Sequence, residues 1–388
     1  MLKKTWTVTD HDRDIYIDSL ALGPDQVGGA ATGYSVTKRT LTTGLSQGVD
    51  VIEVNNGLLR FTVLPTRGMG LWKASLGSLQ LGWRSPVKGP VHPAFVPLHA
   101  PDGIGWLNGF DELLVRCGLE SNGAPEFDSN GRLRYVLHGK IANLPAHKVE
   151  VEIDGDAGEI VVRGVVDESR LFGSKLRLES TITTGVGRAG LTVADTVTNL
   201  SAEPGEMQLL YHVNFGVPLL VPGAKVVVPV QKMAPRDAAA VPDLGTWDTY
   251  GPESPGLPEA AFYFDLAADA DGRTQALLCS AARDQGVTLR FNKKQLPCFT
   301  LWKNRHAACD GYVTGLEPAT NYPNVRSFEK RNGRVVVLAP GESRRFEVEI
   351  EAHADAAAVR AAEAAVARFQ AGTTPQILSE PNREWSVC

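Results

Sequence analysis

The 388-residue sequence predicts an all-β protein built as a sandwich of antiparallel sheets. Short runs rich in β-branched and apolar residues recur along most of the chain, and clusters of turn-forming residues separate them. One such cluster, DGDAG at 154–158, lies between two apolar runs in the manner of a hairpin turn. We expect strands in these segments: 51–54, 58–64, 148–153, 159–166, 175–183, 191–197, 225–230, 287–291, 334–338 and 344–351.

One segment, 354–371, has the pattern of a long helix, because Val359, Ala362, Val366 and Phe369 recur near helical spacing. We expect this helix to pack on a sheet face or on a partner. It lacks the basic face and the large apolar anchors of a membrane-surface helix.

The chain shows no internal repeat and no linker long enough to divide it. The Pro-rich stretch 84–102 and the stretch 234–258 are expected to be long ordered loops that wall a pocket. The tail from residue 373 is expected to be ordered only if Trp385 docks on the domain. We expect three parts: an N-terminal extension packed on the sandwich at 1–44, the sandwich domain at 45–352, and a C-terminal helix and tail at 353–388.

The composition argues against several classes of partner. A formal charge of -5 and a pI near 6.0 give no basic surface for nucleic acid or anionic membranes. No glycine-rich turn joins a strand to a helix as nucleotide binding requires. The N-terminus lacks an apolar leader segment, no stretch reaches the roughly 18 apolar residues of a membrane span, and the five cysteines show no metal-site spacing. We therefore expect reduced thiols, a cytoplasmic location, and neither a nucleic-acid nor a membrane partner.

Glu317 is the first candidate for chemistry. It lies in TGLEPATNYPN at 314–324, among small and rigid residues, and directly precedes Pro318. A residue before proline favours extended backbone, so the carboxylate should project from the end of a strand. It is a candidate general base, and the alternative is a solvated glutamate in a turn.

Two histidines are further candidates. His212 and Asn214 lie two residues apart in YHVNFG at 211–216, so in a strand both side chains face the same side and could meet one ligand. The alternative for His212 is a histidine satisfied within the core. His138 is followed by Gly139, which permits close approach of the backbone.

The segment NGFDELLVRCGLE at 108–120 mixes charged and apolar residues, and we expect a short helix or turn closed by Gly118. Arg116 could contact a charged ligand, or it could form an exposed ion pair with Asp111 or Glu112. Cys117 has no adjacent base that would make it a nucleophile.

The order of these clusters resembles the aldose 1-epimerase (galactose mutarotase) superfamily, and most of all its bacterial branch of epimerase-like proteins with unassigned substrates. The similar motifs are LHG at 137–139, YHVNF at 211–215, which is a loose match, and LEP at 316–318. The phrase LFGSKLRL at 171–178 also looks like the strand leading to the second histidine. The resemblance spans roughly residues 45–352.

The resemblance implies a galactose mutarotase-like β-supersandwich that acts without a metal or a redox cofactor. It implies that Glu317 is the base, that His212 is the acid, and that His138 binds the ring-oxygen side of the sugar. The sequence departs from better-known members at Tyr211, where they have asparagine. Their arginine-rich segment is also absent in its usual form, which leaves the sugar open.

Substrate binding would fall to polar and planar groups near this centre. Arg67 lies in a Gly-rich turn, Asn214 shares the face of His212, and Trp302 with Lys303 could supply an aromatic platform and a charged donor. Core packing is the alternative for Trp302. If Arg67, Arg116 and Lys303 converge, the ligand carries a carboxylate or phosphate.

We therefore expect an aldose 1-epimerase-like enzyme that interconverts anomers of a free sugar or sugar acid by acid and base catalysis. One alternative is an isomerase, epimerase or lyase of a keto-sugar, which could use a metal held by His138, His212 and Glu317. A second is a carbohydrate-binding protein without turnover. The expected partner is a small carbohydrate, and a homodimer stays open.

Overall fold

The computed structural model describes residues 2–387, and β-strands dominate it. The first strands are β1 (Lys3–Asp10), β2 (Ile15–Tyr16), β3 (Leu20–Leu22), β4 (Ser35–Thr40), β5 (Asp50–Asn55), β6 (Leu59–Leu64), β7 (Gly70–Leu76), β8 (Leu79–Leu81), β9 (Leu114–Leu119), β10 (Glu126–Phe127), β11 (Leu133–Tyr135), β12 (Lys148–Asp154) and β13 (Glu159–Ser169). The later strands are β14 (Lys175–Gly185), β15 (Gly190–Asn199), β16 (Gly205–Phe215), β17 (Lys225–Val227), β18 (Val230–Pro235), β19 (Ala260–Leu266), β20 (Arg273–Cys279), β21 (Gly286–Asn292), β22 (Cys298–Asn304), β23 (Val313–Ala319), β24 (Val336–Leu338), β25 (Ser343–His353) and β26 (Gln376–Ile377).

Helices are few and mostly short. The α-helices are α1 (Pro24–Val27), α2 (Arg326–Arg331) and α3 (Ala356–Gln370). Turns of 3₁₀ helix occur at His11–Arg13, Gly44–Ser46, Pro93–Phe95, Gly105–Gly109, Ile141–Asn143, Val241–Thr246 and Ala308–Asp310. Within residues 2–387, no helix is long and apolar enough to cross a bilayer.

Apart from β10 and β11, which pair only with each other, the strands form two large sheets, as the sequence predicted. A ten-stranded sheet has the order β17-β20-β21-β25-β15-β14-β13-β12-β1-β2. A fourteen-stranded sheet has the order β26-β18-β19-β22-β23-β16-β9-β7-β6-β5-β4-β3, with β24 beside β16 and β8 beside β7. Residues 1–44 thus contribute β1 and β2 to one sheet and β3 and β4 to the other.

The main hydrophobic core lies between the sheets. In β14 buried residues alternate with half-exposed ones, so at this strand one face of the ten-stranded sheet packs inward and the other meets solvent. The central strands β16 and β23 of the fourteen-stranded sheet are buried on both faces. Their second face must therefore be covered by loops. His212, Asn214 and Glu317 face that side, whereas Tyr211 points inward and donates to Asp195.

Segment 108–120 corrects one prediction. Instead of a helix or turn closed by Gly118, it contains β9, a fully buried strand that pairs with β16. Arg116 points into the space between the sheets and pairs with Asp195 of β15, with Nε 2.5 Å from Oδ2. The expected exposed pair with Asp111 or Glu112 is therefore wrong, and the buried pair links the two sheets.

The C-terminal helix matches its prediction closely. Asp355 caps α3 by accepting hydrogen bonds from the backbone N–H groups of residues 357 and 358. Val359, Ala362 and Val366 are buried against β20, whereas Phe369 is half-buried.

The tail docks through Trp385, whose ring centroid lies 5.2 Å from that of Tyr322. Asn324 donates a hydrogen bond to the Trp385 carbonyl at 2.8 Å. The described cysteines are free thiols, and Cys388 lies outside the described residues.

Candidate active site

A cavity of about 540 Å³ lies on the face of the fourteen-stranded sheet that points away from the ten-stranded sheet. Its floor is formed by residues of β16, β22 and β23. Residues from the stretches 84–102 and 234–258 contribute to its walls, as expected. The cavity lining includes Trp83, Trp106, Phe110, His138, His212, Arg236, Glu259, Thr300, Trp302, Asp310 and Glu317.

Strand pairing places three polar side chains in one row across the floor. Thr300 of β22 is paired with Glu317 of β23. On the other side of β23, Val213 pairs with Leu316, so the same antiparallel register sets His212 opposite Glu317. Directly opposed residues point to the same face of a sheet. The row across the cavity floor therefore reads Thr300, Glu317, His212.

A second row lies two residues further along these strands. Gly315 pairs with Trp302 on one side and with Asn214 on the other. A Cβ atom at Gly315 would clash with Glu317 Oε1 and would lie 2.9 Å from His212 Cε1. The glycine of TGLEP is thus required because the two reactive side chains occupy the space above it.

Asn214 fixes the orientation of His212. The Asn214 Nδ2 group donates to the carbonyls of Glu112 and His212, at 3.0 and 3.1 Å, so its Oδ1 must be the acceptor. His212 Nδ1 lies 2.6 Å from that oxygen and therefore carries a proton. The second ring nitrogen, Nε2, is left for chemistry.

Glu317 and His212 are buried together, with side chains 3% and 5% exposed. Glu317 Oε1 lies 3.2 Å from His212 Nε2, but the two atoms are not aligned for a hydrogen bond. Among residues 2–387, Oε1 has no hydrogen-bond partner. A buried carboxylate oxygen in this state is costly for the protein and available to a ligand.

Burial shifts the two pKa values in opposite directions. Desolvation raises the pKa of Glu317 well above 4.5, the Glu259 charge adds to the shift, and Arg236 opposes it. Desolvation and the nearby His138 lower the pKa of His212 well below 6.5. Both charged forms are therefore disfavoured, and the pair retains a single proton over a wide range of pH.

His138 approaches from a loop. Its φ of 57° is left-handed, and Gly139, with φ of 72°, is pressed against the carbonyls of Gly118 and Ser121, where no Cβ fits. His138 Nδ1 lies 2.9 Å from the Asn122 carbonyl and donates to it, so Nε2 is the free nitrogen. Burial lowers the pKa of this imidazole.

Aromatic rings surround the histidines. The His138 ring centroid lies 5.6 Å from that of His212 and 4.7 Å from that of Trp106. The ring centroids of Phe110 and Trp302 lie 5.1 and 5.4 Å from that of His212. These rings exclude water from the acid–base pair and offer apolar faces to a ligand.

The rim is organised by Trp302, whose Nε1 donates to Glu259 at 2.6 Å. Arg236 holds the other oxygen of Glu259 at 2.9 Å and also pairs with Asp237 at 2.7 Å. Asp310 adds another carboxylate to the lining. The one arginine among the residues that line this cavity is thus already neutralised.

The structure does not bring Arg67, Arg116 and Lys303 together, and none of the three lines the cavity. Arg67 pairs with Glu112 at 2.5 Å, and Arg116 pairs with Asp195 between the sheets. Lys303 points to the opposite face of β22 from Trp302 and donates to three backbone carbonyls, of Thr246, Trp247 and Thr249, each at 2.9 Å. The anionic-ligand site expected from their convergence is not formed.

Of the residues predicted from sequence, Glu317, His212, His138 and Trp302 line the cavity, and Asn214 lies beside His212. Sequence reasoning missed several other residues of the lining: Trp83, Trp106, Phe110, Arg236, Glu259, Thr300 and Asp310. For Thr300 the only signal is its pairing with Glu317, which requires knowledge of the strand register.

No cluster of three or more His, Cys, Asp or Glu side chains within residues 2–387 is placed to hold a metal ion. His138, His212 and Glu317 therefore do not form the metal-ligand set that the keto-sugar alternative could use.

Comparisons with known proteins agree with this architecture. The family described as "Domain of unknown function (DUF4432)" matches residues 46–352. A crystal structure from Klebsiella pneumoniae subsp. pneumoniae MGH 78578, of a protein provisionally identified as an aldose 1-epimerase, has a TM-score of 0.94 at 34% identity and covers 98% of this chain and 99% of that chain. No curated protein matches the chain significantly.

More distant structures share the fold. A galactose mutarotase-like protein of Clostridium acetobutylicum has a TM-score of 0.56 at 17% identity, covering 82% of this chain and 98% of that chain. An Escherichia coli K12 protein, provisionally identified as an aldose 1-epimerase, has a TM-score of 0.51 at 16% identity, covering 79% and 99%.

Proposed function

Since the chain belongs to the DUF4432 family and has a galactose mutarotase-like fold, we propose that it is an aldose 1-epimerase-like enzyme that interconverts the anomers of a free sugar. The observation that carries the proposal is the buried pair of Glu317 Oε1 and His212 Nε2. The two atoms are 3.2 Å apart on the floor of the cavity, and the carboxylate oxygen has no partner within residues 2–387.

The reaction needs one proton removed and one delivered. Glu317 takes the proton of the anomeric hydroxyl while His212, protonated on Nε2, gives its proton to the ring oxygen. The bond between the anomeric carbon and the ring oxygen breaks, and the anomeric oxygen becomes a carbonyl. Rotation about the bond to the second carbon presents the other carbonyl face, and the reverse transfers close the ring.

The proton inventory of the site suits this exchange. Asn214 holds the proton on Nδ1, so only Nε2 of His212 can gain or lose one. The form that begins the reaction, carboxylate with imidazolium, has the same net charge as the neutral pair. A neutral substrate can therefore be processed without drawing a proton from solvent.

The cavity favours a neutral monosaccharide. Its volume falls within the roughly 300–1,000 Å³ typical of small-molecule sites. Arg236 is neutralised by Glu259 and Asp237, and Glu259, Asp310 and Glu317 are the other charged groups of the lining. A carboxylate or phosphate on the ligand would meet these groups without a free cation, so a neutral sugar is a better fit than a sugar acid.

Proton NMR saturation exchange on a panel of aldoses, keto-sugars and uronic acids tests the proposal. We expect the native protein to accelerate anomer exchange of at least one neutral aldose. Glu317→Gln should reduce that acceleration by about 10²- to 10⁴-fold, because the variant cannot accept the proton.

Glu349→Gln provides a matched control, since Glu349 pairs with Arg290 on the ten-stranded sheet, away from the cavity. Anomer exchange that survives in Glu317→Gln would contradict the proposal. New signals from a keto-sugar without anomer exchange would assign an isomerase or lyase instead. Saturable binding of a sugar without either change would indicate a carbohydrate-binding protein.

A further inference from the structure

Thr300 is a buried polar residue of the cavity that the proposed proton transfers do not use. It is 1% exposed and lines the cavity, and its Oγ1 has no hydrogen-bond partner within residues 2–387. Leaving a buried hydroxyl without a hydrogen-bond partner destabilises a protein. A bound ligand that pairs with this hydroxyl would remove that cost.

The position of Thr300 relative to the acid–base pair is fixed by the sheet. It flanks Glu317 from β22, whereas His212 flanks Glu317 from β16 on the opposite side. Directly opposed residues have Cβ atoms about 4.5–5.5 Å apart. Thr300 is therefore within reach of a group on the ring atom next to the anomeric carbon, whose hydroxyl gives its proton to Glu317.

The covalent structure of an aldose ring matches this row. The anomeric carbon has two ring neighbours: the ring oxygen on one side and the second carbon on the other. If Glu317 accepts the anomeric proton and His212 serves the ring oxygen, the second carbon lies on the side of Thr300. The hydroxyl on that carbon is the nearest group that can pair with Oγ1.

We infer that Thr300 recognises the 2-hydroxyl of the substrate, so the enzyme selects aldoses that carry a free hydroxyl at that carbon. The inference rests on the proposed function and names a specificity residue within the same site. Thr300 exchanges no proton in the reaction, and its hydroxyl positions the sugar ring for the pair beside it.

A comparison of paired sugars tests the inference. The probes are D-glucose, D-galactose and D-ribose, each with its 2-deoxy analogue, and the readout is kcat/KM for anomer exchange. We expect the native protein to prefer a parent sugar over its 2-deoxy analogue by about tenfold, the equivalent of one neutral hydrogen bond.

Thr300→Val keeps the shape of the side chain and removes the hydroxyl. In this variant the parent sugar should lose about tenfold in kcat/KM, while the 2-deoxy analogue changes less than about twofold. Thr300→Ser should restore the preference. The melting temperature of Thr300→Val should not fall, because the threonine hydroxyl has no hydrogen-bond partner to lose among residues 2–387.

Thr314→Val is the matched control. Thr314 lies on β23 with its side chain on the opposite face from Glu317, and its hydroxyl bonds to Tyr250 and to the Trp302 carbonyl. This variant should lose stability and should keep the native preference between paired sugars.

Three outcomes decide the matter. Loss of the preference only in Thr300→Val supports the inference. An equal loss on both members of each pair, or no preference in the native protein, overturns it while the proposed function stands. No acceleration of any sugar by the native protein would count against the proposed function and the inference together.

Discussion

Side chains alternate between two faces along the strands of both sheets, but carboxylates on the two outward faces have pKa values shifted in opposite directions. On the ten-stranded sheet, Asp167 is 30% exposed and forms a two-point pair with Arg177, which lowers the pKa of Asp167 below 3.8. On the fourteen-stranded sheet, Glu317 is covered by loops and forms no ion pair with a lysine or arginine within residues 2–387, and burial raises its pKa. The strand therefore sets the direction of a carboxylate, and the presence or absence of loops over that face decides whether the carboxylate is solvated or buried and reactive.

The largest expected effect of burial concerns two ion pairs, one enclosed between the sheets and one on the solvated face of the ten-stranded sheet. Asp195→Asn leaves the Arg116 charge unpaired between the sheets, and we expect the free energy of unfolding to fall by about 3–5 kcal/mol. Asp167→Asn removes a pair on the solvated face and should cost less than about 1 kcal/mol. Urea unfolding of both variants measures the difference, and equal losses would show that burial does not change what a paired carboxylate contributes to stability.

Gly315→Ala perturbs only the covered face. The added Cβ would clash with Glu317 Oε1 and crowd His212, and displacements of about 1 Å in an active site can reduce the rate by about 10²-fold. We expect a loss of that size in anomer exchange, measured by NMR.

Gly245→Ala is the control for this change, since a Cβ there meets no atom within 4 Å. Retention of native activity in Gly315→Ala would mean that the acid–base pair is not held over this glycine.

The smallest expected effect is the pH dependence, which separates the two carboxylates by their pKa values. Titration of the carboxyl groups followed by NMR should give a pKa below 3.8 for Asp167 and above 4.5 for Glu317. Activity requires one proton on the Glu317–His212 pair. It should therefore fall on the acid side below pH 6.5, where His212 gains a second proton, and on the basic side as the raised pKa of Glu317 is passed. An acid limb at or above pH 6.5 would contradict the burial of His212.

Local sequence patterns were sufficient to predict the fold class and the superfamily resemblance. Runs of β-branched residues predicted strands such as β13 and β14, and the structural neighbours confirm the aldose 1-epimerase superfamily resemblance drawn from LHG, YHVNF and LEP. The roles of Glu317, His212 and His138 stay predictions, although the structure places all three side chains around one cavity.

The misplaced residues have a common cause. Arg116 lies in an apolar run, and its partner Asp195 is 79 positions away, so its inward direction is decided by a tertiary contact that no local pattern reveals. Arg67 is paired with Glu112, 45 positions away, in the same manner. Thr300 was missed because nothing near it in sequence indicates that it lies opposite Glu317 in the neighbouring strand.

The three-strand row also makes the proposed chemistry depend on how the sheet assembles. Successive residues of a strand point to opposite faces, so a slip of β23 by one position would turn Leu316 or Pro318 toward the cavity and send Glu317 into the hydrophobic core. Three strands supply the row: His212 comes from β16, Thr300 from β22 and Glu317 from β23. In sequence, His212 and Glu317 are more than a hundred residues apart. Their alignment is thus settled during folding, when β23 acquires its hydrogen-bond register between β22 and β16.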